Sequence, residues 1–157
     1  MKDDKAKKNP KLAKVFICNT LKALEQYKNN AREDDQSYSH TLFINACVGF
    51  LIIANETVFD ELPNDIINEE YWGISPDDIE IKGDKSVRNV AQQMRHSIAH
   101  FNFSFDYSET ESVPIKNVRF KNWNNNFETK AISFASFKKF VLAVAKEALK
   151  IIDKETK

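Results

Sequence analysis

The sequence predicts a mostly α fold: a bundle of four helices with a short β-hairpin inserted before the last one. Three observations predict it. Only three Gly and four Pro occur in 157 residues, so there is little of the turn material that sandwiches, barrels and linkers need. Four stretches carry apolar residues at helical spacing. Between the third and the fourth, the period changes to two, the spacing of a strand. The length suits one domain with a real core. Hydrophobic residues make up 42%, and the 12 Phe predict aromatic–aliphatic packing inside.

Residues 1–10 form a Lys-rich tail ending at Pro10, and residues 11–157 are expected to form a single domain. From Lys11 to Lys28, Ala13, Ile17, Leu21 and Leu24, flanked by Phe16 and Tyr27, make the first helical stripe. Asn29-Asn30 and Asp34-Asp35 mark a polar connection. Ser39 to Phe59 is apolar nearly all round through Phe43, Ala46, Cys47, Phe50 and Ile53, as in a helix buried by neighbours or by a second subunit. Pro63 breaks it. The acidic segment to Lys82 predicts a short helix and loop around Tyr71-Trp72-Gly73. Gly83-Asp84 precedes a third long helix capped by Ser86, with Val87, Ala91, Met94, Ile98 and Phe101 toward the core and Arg88, Gln92 and Arg95 on the opposite flank. Phe101, Phe103, Phe105 and Tyr107 alternate with small or polar residues, predicting an extended exit. Ile115–Trp123 and Phe127–Ser133 predict two strands joined by a turn at Asn124-Asn125-Asn126. An amphipathic helix from Phe134 to Lys154 closes the chain, with Phe137, Phe140, Val141, Val144, Ala148 and Ile151 on one face. There is no internal repeat.

The formal net charge is zero, so any nucleic-acid site must be a local patch. The charges are segregated. The balance is +4 from Met1 to Lys14, −9 from Glu56 to Asp84 and +3 from Ser136 to Lys157. Such runs are ordinarily solvated faces. Cys18 and Cys47 both fall within apolar helical patterns and read as core filler in a reducing compartment. No signal peptide is apparent, and the longest apolar run, Leu42 to Ala54, is interrupted by Asn45 and is too short to span a bilayer. The expected location is cytoplasmic, with no membrane partner.

The residues with chemistry are Arg95-His96-Ser97-Ile98-Ala99-His100, late in the third long helix. His96 and His100 are four apart and share one face. Arg95 and His100 are five apart, which sets them roughly 140° apart around an ideal helix. They converge on one substrate only if the helix frays near His100 or a second copy faces it. The plain alternative is a helix end, where His satisfies late carbonyls and Arg lies on the surface. The His pair also matches a zinc spacing, but no Glu follows His96 and His40 has no motif around it, so no metal or other cofactor is expected.

Arg, any four residues, then His resembles the signature of the HEPN family of nucleotide-binding and RNA-cleaving domains. The flanks agree: Met94 before the Arg, Ile98-Ala99 before the His, and Phe101-Asn102 after it. The order of helices, strand insertion and closing helix also resembles the small stand-alone HEPN proteins of bacterial mobile elements. The resemblance implies a homodimer in which two motifs meet and cut RNA without metal, leaving a 2′,3′-cyclic phosphate. Arg95 and His100 would be catalytic, with His96 in support and Ser97 and Asn102 as weaker supporting candidates. It further implies a toxin or defence effector, though no antitoxin partner is identifiable from this chain. Some members carry a Tyr two places after the His that is modified; here that place holds Asn102. The alternative within the family is a non-catalytic module that binds nucleotide or RNA or simply dimerises. Two further features bear on RNA: the aromatic series from Phe101 to Tyr107 has the spacing of a buried strand face or a base-stacking platform, and the Lys-rich ends suit either solvent or a phosphate backbone. Trp72 and Trp123 read as packing or rim residues.

Overall fold

The computed structural model describes residues 10–30, 41–47, 49, 57–80, 83–107 and 115–157. Helix α1 runs Pro10–Asn30. Pro10 is its first residue, where a missing N–H leaves no helical bond unmade. Ala13 and Ile17 are buried, and Phe16, Leu21 and Leu24 pack half-buried against the core, which is the predicted stripe. The helix continues two residues past the predicted Lys28, through Asn29 and Asn30, while Asp34-Asp35 lies outside the described residues.

Residues 41–47 are helical, with Phe43 and Cys47 buried but Leu42 and Asn45 exposed. This part of the predicted second helix therefore has an open side; Phe50 and Ile53 lie outside the described residues. Next come the short helices α2 (Thr57–Asp60) and α3 (Glu69–Trp72). Asn68 caps α3 by accepting a hydrogen bond from the Tyr71 N–H at 2.9 Å, and Gly73 ends it with φ 79°.

Helix α4 (Val87–Ala99) starts at Ser86, whose Oγ accepts from the Asn89 N–H at 3.2 Å, as predicted. Its flank of Arg88, Gln92 and Arg95 does not face open solvent. Arg88 Nε donates to the Leu62 carbonyl at 3.0 Å, Gln92 Nε2 donates to Asp60 at 2.9 Å, and the Arg95 guanidinium lies 5.9 Å from the Phe59 ring centre. The residues around α2 are strapped across this flank.

The predicted hairpin is a four-stranded antiparallel sheet. The extended exit is itself a strand, β1 (Phe103–Tyr107), paired with β2 (Ile115–Asn122) from Phe103–Phe120 onward. The other predicted strand is split into β3 (Phe127–Glu128) and β4 (Ile132–Ser133), each paired with β2. The turn falls where predicted, as a 3-10 turn over Trp123–Asn125 with Asn126 in the left-handed region at φ 52°. Helix α5 (Phe134–Glu155) begins at the cap Ser133 and packs against α1, α2, α3 and the sheet. Its Phe137 ring stands 5.3 Å from Phe120 and 6.2 Å from Phe43, so aromatic contacts join helix to sheet and helix to helix. Ile152, rather than the predicted Ile151, is the last fully buried residue on this face.

Candidate functional site

The end of α4 is closed, not frayed. His100 is the C-cap residue (φ −103°, ψ 10°), and its N–H still reaches the His96 carbonyl at 3.0 Å. The Phe101 N–H donates to the Ile98 carbonyl at 3.1 Å and the Asn102 N–H donates to the Ser97 carbonyl at 2.7 Å. This pair of bonds is a Schellman motif, which satisfies two carbonyls the helix would otherwise orphan. The motif needs a left-handed residue after the cap, a place usually taken by Gly. Here it is Phe101, at φ 56°. Holding a Cβ there costs ~1–2 kcal/mol. The turn also swings the side chain off the core stripe on which the sequence places it, and Phe101 is 85% exposed.

His96 and His100 are both exposed, and their rings are parallel within 3° with centres 6.2 Å apart. Arg95 leaves the helix on the side of α2, half-buried over Phe59. His96 is held below the ordinary histidine pKa by partial burial, then by the positive charge of Arg95, then by His100. Neutral imidazole is therefore favoured at His96. Among the described residues, no third His, Cys, Asp or Glu joins this pair in a group that could hold a metal ion.

The weaker sequence candidates occupy different places. Ser97 is fully buried, with Oγ donating to the Gln93 carbonyl at 2.9 Å, so it touches the helix interior and not solvent. Asn102 bridges helix to sheet through its backbone: its N–H closes the α4 cap, and its carbonyl accepts from the Lys121 N–H at 2.9 Å.

Three features escape a reading of the sequence alone. Gln93 is buried beneath the motif, its Oε1 accepting from Asn122 Nδ2 at 2.8 Å and Asn125 Nδ2 at 3.3 Å while its Nε2 donates to Asn89 at 3.3 Å. This amide cluster fastens α4 to the end of β2. A polar residue three places after the buried Val90 was its one signal in the chain. Second, Lys121 Nζ lies 3.9 Å above the ring of Trp123, which is 67% exposed. Third, a groove of about 370 Å³ opens beside the α4 cap, lined by Phe101 and Asn102, by Phe103 and Ser104 of β1, and by residues of and next to β2 and β3.

A small, mostly helical domain with an antiparallel sheet near its C-terminal end, carrying Arg and His at a closed helix terminus, is the class that fold and site define. The chain belongs to the HEPN family: the family described as HEPN pEK499 p136 matches residues 1–155. No curated protein and no solved structure matches it. Among the described residues, no helix is long and apolar enough to cross a membrane.

Proposed function

We propose that this HEPN protein is a metal-independent endoribonuclease that works as a homodimer, with Arg95 and His100 as its catalytic residues, and that it serves as a toxin or defence effector. The observation that carries the reading is an exposed imidazole at a closed helix end, five residues after an arginine packed over Phe59. Five-residue spacing on an unfrayed helix sets Arg95 and His100 roughly 140° apart, so a two-fold arrangement of two α4 ends is the simplest way to build one site from both. The four-helix bundle of the family, formed by residues 11–157 as one domain, is the scaffold this reading assumes.

The chemistry needs no cofactor. His100 takes the proton of a ribose 2′-OH as the general base. The 2′-oxygen attacks the adjacent phosphorus while the bond to the 5′-oxygen breaks. Arg95, always charged and able to donate to two phosphate oxygens, stabilises the phosphorane. The partner chain's imidazole, entering protonated, gives its proton to the departing 5′-oxygen. The products are a 2′,3′-cyclic phosphate and a 5′-hydroxyl. His96 supports the pair by presenting a neutral ring next to both, and Ser97 supports it by packing the helix beneath.

The test is RNA cleavage by purified protein in excess EDTA, beside His100→Ala. Cleavage by wild type with cyclic-phosphate ends, reduced by ~10²–10⁴ in the variant, is the expected result for loss of an acid–base group. Equal cutting by both proteins, or none by either, would refute it. One observation favours the second reading, a non-catalytic HEPN module: the half-buried stacking of Arg95 on Phe59 is also what an arginine with a purely structural task does. On that reading His100→Ala changes no RNA product and causes no relief of growth arrest on expression.

A further inference from the structure

We propose that the groove between the α4 cap and the β2–β3 face is a subsite for single-stranded RNA, with Phe101 and Trp123 as stacking platforms for its bases. The inference rests on the ribonuclease reading only for the choice of RNA over other single strands. The groove's lining includes Phe101, the residue that follows His100, so the groove adjoins the helix end that carries the proposed catalytic imidazole. Its volume of about 370 Å³ is within the range of pockets that take small ligands.

Its aromatic residues are unusual. Phe101 is the most exposed large hydrophobic residue described, at 85%, and Trp123 is 67% exposed. Neither contributes to the core. Phe103 and Phe105, by contrast, pack half-buried against it, so of these three rings it is Phe101, turned out by the left-handed cap, that stands open to a base. A folded chain that holds a phenylalanine in a backbone region suited to glycine, and then leaves the ring in water, gains nothing in packing from it.

The charges lining the groove favour a strand with few phosphate contacts. Arg119, Lys121 and Lys130 line it, together with Glu80 and Glu128. Lys121 is engaged with Glu128 at 3.3 Å and with the Trp123 ring, and Arg119 with Asp106 at 3.3 Å. A groove with three cations, two carboxylates and two exposed aromatic rings, Trp123 covered by Lys121 on one face, is built for sequence-tolerant stacking supplemented by one or two phosphates, not for the dense backbone neutralisation that duplex binding requires.

The experiment uses the full-length wild-type chain and a fluorescein-labelled 2′-O-methyl single-stranded RNA of about 12 nucleotides, which lacks the nucleophile and is not cut. Binding is followed by anisotropy and by quenching of Trp fluorescence. Trp123→Ala and Phe101→Gly are each expected to weaken binding roughly 5- to 150-fold, with the melting temperature measured alongside to show that the fold is intact. Lys130→Gln is expected to flatten the log–log salt dependence by about 0.7, the contribution of one phosphate on a single strand. Undiminished binding by both aromatic variants, no binding by wild type, or equal binding to a duplex of the same length would each overturn the proposal. Cleavage separates the two readings. Wild type that cuts RNA, with aromatic variants that bind as well as it does, removes the subsite and leaves the nuclease; wild type that binds through Trp123 and Phe101 but never cuts leaves the subsite and removes the nuclease.

Discussion

Replacing Phe101 by Gly and, separately, by Ala isolates the strain held at the end of α4. Both variants lose the same ring, and since Phe101 is 85% exposed the lost burial is small and shared. They differ in the backbone. Ala retains a Cβ at φ 56° and with it a cost of ~1–2 kcal/mol, which Gly relieves. Gly in turn loses more chain entropy on folding, by ~0.5–1 kcal/mol. The difference leaves Phe101→Gly more stable than Phe101→Ala by about 0.5–1 kcal/mol, which in a domain of this size is a shift of roughly 1–4 °C in melting temperature. The order is the reverse of that in a helix or strand interior, where Ala is the more stable. Urea denaturation and calorimetry on the two proteins measure it. Equal stabilities, or a more stable Ala variant, would show that the backbone at Phe101 is not left-handed in solution, and the Schellman cap that orients His100 would have to be abandoned.

Other outcomes follow from single contacts. Gln93→Leu leaves the buried Nδ2 of Asn122 without its acceptor and should cost about 1–3 kcal/mol by urea denaturation, with part recovered in Gln93→Leu/Asn122→Leu; an unchanged midpoint would remove the amide cluster from the account. The His96 ring should titrate by NMR below an ordinary histidine, and Arg95→Gln should move its midpoint upward, though not all the way because burial is the larger cause. Since the folded-state value is depressed, the unfolded chain takes up the proton first, so this histidine's contribution to stability is present above the ordinary histidine range and lost as pH falls through the depressed value; a midpoint at or above the ordinary range would contradict this. Gly73→Ala should destabilise by about 2 kcal/mol or more, because a Cβ there meets Lys139 Cβ and the Ser136 carbonyl, both at 2.9 Å, on a backbone at φ 79°; a wild-type melting temperature would count against the contact of α3 with α5.

What the sequence by itself determined is whatever depends on neighbours along the chain. The stripe of Ala13 and Ile17, the cap Ser86, the turn at Asn124–Asn126, the Gly73 stop and the amphipathic α5 are each set by a few consecutive residues, because helical period, capping and left-handed tolerance are local properties. The Arg95–His100 spacing was legible for the same reason. Tertiary structure decided the rest. That the exit after α4 is a paired strand, that the predicted hairpin is a four-stranded sheet, and that Arg88, Gln92 and Arg95 meet the residues around α2 depend on partners up to 36 positions away. Phe101 shows the division most clearly. At three residues from Ile98 it belongs by periodicity to the core face, yet one left-handed residue ends the period and turns the ring into solvent. Gln93 is the converse case, a polar side chain that can be buried because distant Asn122 and Asn125 supply its hydrogen bonds. Periodicity records which way a side chain points while the helix lasts; only the folded chain determines what it meets there.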